Sequence, residues 1–136
     1  LSINQYQQVQ TMAQIFLLIA AILGGLSVAG GAFASHALRE RLAERALEIF
    51  ETGARYQMYH ALALLLVGLW LSRAEMAQSW LTAAGCAFIA GVLLFCGSLY
   101  GLSLSGIKIL GAVAPLGGAA FLIGWGCLAV AALSYK

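Results

Sequence analysis

The chain has 136 residues, 62% of them hydrophobic and 9% charged, with a formal net charge of +2. A water-soluble domain carries about 25% charged residues, so a water-soluble fold is excluded and lipid is expected to solvate most of the surface. The length implies one domain, and so small a positive charge excludes nucleic acid as a partner.

Residues 1–11, LSINQYQQVQT, are polar and uncharged. They are read as an N-terminal extension ahead of a transmembrane domain over 12–136, and they lack the basic start and short apolar core of a signal peptide. A first span is expected over about 15–37, because roughly 20 apolar residues cross a hydrocarbon layer about 30 Å thick. Within it Ser27, Gly31 and Ser35 recur every four residues. With Gly24 they predict a small-residue stripe that a neighbouring helix can approach closely. His36 stands at the rim.

The next stretch is the only strongly polar one, and holds eight charged side chains between Arg39 and Arg55. Leu38, Leu42, Ala46, Ile49 and Phe50 share one helical face. The pattern predicts an amphipathic helix over about 39–52, lying on the membrane surface between the first two spans. Arg41–Glu44, Arg45–Glu48 and Glu51–Arg55 have ion-pair spacing. Gly53 is placed as the C-cap from which the chain turns into the bilayer.

A second span is expected over about 54–72, with Trp70 and Arg73 at its far interface. The third, about 80–104, carries a Gly97-x-x-x-Gly101 packing signal. The fourth, about 109–135, contains Gly117 and Gly118 as packing residues and Pro115, which kinks a helix or frees a carbonyl. Short connections make neighbours antiparallel. The expected fold is therefore an all-α membrane protein: four transmembrane helices in an up-down bundle, with the amphipathic helix between spans one and two. Arg39, Arg41, Arg45, Arg55 and Lys108 lie on one side and Arg73 and Lys136 on the other. That excess leans the surface helix towards the cytoplasm.

The up-down order gathers the polar groups at one membrane face: His36, Glu51, Arg55, Tyr56, Gln57, Tyr59, His60, Ser98 and Tyr100. Such groups need partners in lipid, so a hydrogen-bonded network is expected among them. His36 and His60 have two readings. They pin the surface helix to the bundle, or, at matched depth, one or both ligate a haem or another tetrapyrrole. No other cofactor and no metal is expected. Cys86, Cys96 and Cys127 sit in apolar runs without C-x-x-C spacing and read as small buried residues. The chain has no aspartate, no G-x-S-x-G and no H-E-x-x-H, so no enzyme activity is expected.

GAFASHAL (31–38), ETGARYQMYHALALLL (51–66), GSLYGL (97–102) and PLGGAAFLIGW (115–125) carry a family resemblance. The chain resembles the domain of unknown function 423 family, small four-helix membrane proteins that include YgdD-like and transmembrane protein 256-like members. The resemblance covers about 12–134 and is nearest to bacterial members. It implies a multi-pass protein of a bacterial inner membrane or a thylakoid, and no reaction. The combined expectation is a non-catalytic accessory or assembly subunit of a respiratory or photosynthetic membrane complex, whose partners are the bilayer and other membrane subunits. The alternatives are a small oligomeric transporter or channel, and a histidine-ligated haem or pigment protein.

Overall fold

The computed structural model describes residues 1–136 and is all-helical, its helices forming four rods. The first rod is α1 (Ile3–Phe33), which runs on into a π-helical turn, Ala34–Leu38. The second is α2 (Glu44–Arg73). The third is α3 (Gln78–Gly91) and α4 (Gly97–Ser105), joined without a break through a second π turn, Val92–Cys96. The fourth is α5 (Ile109–Ala132). Three segments are long and apolar enough to cross a membrane: Ile3–Leu38, Gln78–Ser105 and Ile109–Ala132.

Two expectations change here. Residues 3–11 are not a separate extension but the first turns of α1. Ser2 accepts from the Gln5 backbone N–H while the Gln5 side chain accepts from Ser2, a reciprocal cap that satisfies two otherwise orphaned donors. Nor is there a separate surface helix over 39–52. Residues 39–43 form turns, and the charged stretch from Glu44 is the opening of α2, which passes straight through Gly53. Gly53 is not a cap. A Cβ there would lie 3.0 Å from the ring of Tyr100, so it is a site of close packing. The apolar face of this stretch packs on the bundle rather than on lipid: Phe50 is buried with Ala34 and Leu38, and its ring lies 4.8 Å from that of Tyr100.

α2 and the α3–α4 rod form the centre, with α1 against the first and α5 against the second. The core runs through Phe16, Leu64, Val67, Leu71, Leu81 and Phe88, all essentially inaccessible. Phenylalanines seat on glycines across the α5 interface. Phe88 faces Gly124, Phe121 faces Gly91, and Phe95 faces Gly117, where a Cβ would meet the Phe95 backbone nitrogen at 2.3 Å. Such close backbone approach maximises dispersion contact where no hydrophobic effect drives helices together.

The expected small-residue positions divide. Gly24 packs on Ala61, Gly118 lies 4.0 Å from Phe95, and Gly101 meets Leu110. Gly31 and Gly97 have nothing within 4 Å of a Cβ. Ser35 is exposed and bonds its own helix at Gly31. Thus neither the Ser27-Gly31-Ser35 stripe nor the Gly97–Gly101 pair forms a continuous helix contact inside the chain. α5 continues unbroken through Pro115; the missing N–H there leaves the Gly111 carbonyl without its intrahelical partner. All three cysteines are free thiols, with Cys96 and Cys127 buried and Cys86 exposed.

Candidate functional site

The buried polar residues are Ser27 of α1, Gln57 and His60 on the inward face of α2, and Ser98 and Ser103 of α4. Gln57 and His60, three residues apart, share that face and are both about 95% inaccessible. Gln57 links three helices. Its Nε2 donates to the Leu23 carbonyl of α1 at 2.7 Å, and its Oε1 accepts from the Tyr100 hydroxyl of α4 at 2.7 Å. One turn away, Ser27 of α1 donates to the Ala54 carbonyl of α2 at 2.6 Å, so the two helices clamp each other reciprocally. Ser103 donates to the Ala46 carbonyl at 2.7 Å, and Gln10 to that of Ser72 at 2.8 Å. Interhelical bonds in lipid contribute on average only about 0.6 kcal/mol each. Their larger effect is on register, because a slipped helix would leave a donor unpaired in hydrocarbon.

His60 sits in an aromatic box. Its ring stacks on Phe121 with centroids 3.5 Å apart and planes within 8°; Phe88 and Trp125 stand at 5.5 and 6.0 Å. Nδ1 is 2.7 Å from the Tyr56 carbonyl, which can only accept, so Nδ1 carries the proton. Nε2 then accepts the indole N–H of Trp125 at 3.1 Å. Both nitrogens of a neutral imidazole are in use. An iron could take Nε2 only by displacing Trp125. Haem titrated into the purified protein is therefore expected to keep the Soret band of free haem; a shifted band that vanishes in His60→Phe would show that the Trp125 bond yields.

The expected network does not gather as one cluster. The contacts Ser27–Ala54, Leu23–Gln57 and Gln10–Ser72 set an antiparallel register that brings His60 level with Ala21 and His36 level with Arg45. Fifteen residues of helix separate those levels, about 22 Å, so the two histidines do not share a depth or a ligand. His36 is exposed on the π turn. Ser98 is buried but bonds its own helix at Leu94. Tyr56 and Tyr59 are exposed side chains with rings 5.5 Å apart. Glu51 and Arg55 line a groove on the flank of α2. Only Tyr100, through Gln57, and the Tyr56 carbonyl, through His60, belong to the interior network. Sequence reasoning did not find Trp125, Phe121 and Phe88; their one signal is the repeated pairing of phenylalanine and glycine on α3 and α5.

Buried side chains here spend their hydrogen bonds on backbone carbonyls and on one another, an arrangement that fixes helices. The proteins this chain is similar to are membrane proteins. The family model described as protein of unknown function (DUF423) matches residues 30–118. The chain is 43% identical over 122 residues to the UPF0382 membrane protein YwdK of Bacillus subtilis, spanning 90% of this chain and 98% of that protein. A UPF0382 membrane protein of Staphylococcus epidermidis is 38% identical, and UPF0382 membrane protein SAB0533 of Staphylococcus aureus 37%, with the same coverage. No solved structure matches.

Proposed function

Since this chain belongs to the DUF423 family of membrane proteins, we propose that it is a non-catalytic accessory or assembly subunit of a larger membrane complex, respiratory or photosynthetic, with all four rods crossing the bilayer. The observation that carries this reading is the charge left unused at one end. Of the eight charged side chains between Arg39 and Arg55, only Arg45 and Glu48 form an ion pair, at 3.4 Å on the surface. Unpaired charges of both signs on the turns of residues 39–43 and the opening of α2 make a surface that another polypeptide can match by complementary charge.

The crossing of α2 is supported by its packing. Its register against α1 holds residues 54–72 beside the apolar length of that helix, and the polar groups that lower its hydropathy, Gln57 and His60, face inward. Tyr56–Ser72 contains no charged residue and measures about 25 Å, close to a hydrocarbon thickness. The basic excess then favours the cytoplasmic side for the Arg39–Arg55 end.

Extraction in a gentle detergent, followed by a blue-native gel and mass spectrometry of the band, tests the reading. Migration with a large complex is expected, and reversing charges at Arg41 and Glu44 should release the chain from it. Migration alone, at a small multiple of 14.3 kDa after correction for detergent, would reject the subunit reading and favour an oligomeric transporter.

A further inference from the structure

A groove of about 460 Å³ opens between the first turns of α2 and the junction of α3 with α4. Arg45, Glu48, Glu51 and Arg55 line its α2 side, and Phe95 and Leu99 supply an apolar floor. We propose that this groove binds the headgroup of a zwitterionic phospholipid bearing a primary amine, of the phosphatidylethanolamine type.

The order of the charges carries the assignment. Arg55 is the last charge before the uncharged run Tyr56–Ser72, so it marks the edge of the hydrocarbon. Glu51 lies one turn further out, about 6 Å along the axis. A phospholipid headgroup has its phosphate next to the glycerol and its ammonium outside, two carbons further on. Arg55 therefore meets the phosphate and Glu51 the ammonium, with Leu99, which packs beside Gly53, flanking the headgroup and Phe95, whose ring lies 5.0 Å from that of Tyr56, at the start of the acyl chains.

A second observation is independent of that order. Glu51 and Arg55 have the spacing and direction that favour an ion pair on a helix, yet they do not pair, and the one ion pair of the stretch is Arg45–Glu48. Both instead line the groove. A primary ammonium can donate up to three hydrogen bonds to a carboxylate, whereas a quaternary choline donates none. A phosphatidylglycerol offers no cation to Glu51. The site thus discriminates by the amine as well as by the phosphate.

Native mass spectrometry of the full chain in detergent, with equal amounts of phosphatidylethanolamine, phosphatidylcholine and phosphatidylglycerol of one acyl composition, tests this. The ethanolamine lipid is expected to be retained about tenfold over either competitor. Glu51→Gln should reduce it to the choline level, and Arg55→Gln should weaken all three lipids. Glu51→Arg combined with Arg55→Glu keeps composition and net charge but reverses the order, so it should abolish the preference while the helical circular dichroism is unchanged. Equal retention of the three lipids, preference for phosphatidylglycerol, or an unaltered preference in the reversed pair would each overturn the proposal. The readout uses the isolated chain, so it is independent of whether the protein joins a larger complex.

Discussion

Gly117→Ala is expected to destabilise the bundle by about 2 kcal/mol, while Gly126→Ala, the same substitution nine residues along the same helix, leaves it unchanged or slightly more stable. At Gly117 the new methyl would sit 2.3 Å from the Phe95 backbone nitrogen and 2.7 Å from its Cα. Those atoms belong to the π turn joining α3 to α4 and cannot rotate aside, so the rods must separate. Overpacking costs about 1–3 kcal/mol and occasionally more, and the helix preference of alanine returns about 1 kcal/mol. Separation at Gly117 also loosens the neighbouring layers at Gly91 and Gly124, which places the cost at the upper end. At Gly126 a Cβ meets nothing within 4 Å, so only the propensity gain remains. Gly97→Ala belongs with Gly126→Ala, contrary to the expectation from its GxxxG spacing. Unfolding by SDS from mild micelles, followed by circular dichroism, measures all three; equal midpoints for Gly117→Ala and Gly126→Ala would refute the interlock.

The same contrast shows what a sequence of this kind exposes and what it hides. The apolar runs read directly as long helices, because in lipid every backbone group must be paired within its own segment. The amphipathic pattern over 38–50 was harder to place. A face of Leu38, Ala46, Ile49 and Phe50 is equally suited to lying on a membrane and to packing on neighbouring helices. In this chain Phe50 packs with Ala34, Leu38 and Tyr100, and α2 is continuous from Glu44 to Arg73. Gly53 misled for a related reason: a glycine beside a polar stretch resembles a cap, whereas the structure uses its missing side chain to admit Tyr100. Tyr-Gln-x-x-His was visible as a motif, and its geometry explains the spacing. Three residues put Gln57 and His60 on one inward face, and the i,i+4 step lets the His60 ring reach the carbonyl of Tyr56. Depth was not visible. Nothing in the residues near His36 and His60 reports that their levels differ by about 22 Å; that follows from the register set by Ser27, Gln57 and Gln10.

His60→Ala is expected to cost about 3 kcal/mol and His60→Phe only about 1 kcal/mol, measured by the same SDS titration. Alanine removes a ring stacked at 3.5 Å on Phe121 and flanked by Phe88 and Trp125; truncating a buried ring leaves a cavity and costs about 3–5 kcal/mol. Phenylalanine refills the box and keeps the stack, and the Tyr56 carbonyl that loses the Nδ1–H keeps its helical N–H partner, so the main cost is the indole N–H of Trp125, left without an acceptor. An unmet donor costs about 1–3 kcal/mol, taken at the low end here because Trp125 is 47% exposed and its ring has room to reorient. A result in which both variants lose the same stability would mean that the hydrogen bond, not the packing, holds this centre, and the polar network would then outweigh the aromatic box. The ordering Ala worse than Phe instead makes His60 an aromatic packing residue that carries one bond of register. Its value to α5 then lies in fixing the helix against α2, two rods whose backbones stay apart and meet largely through these side chains.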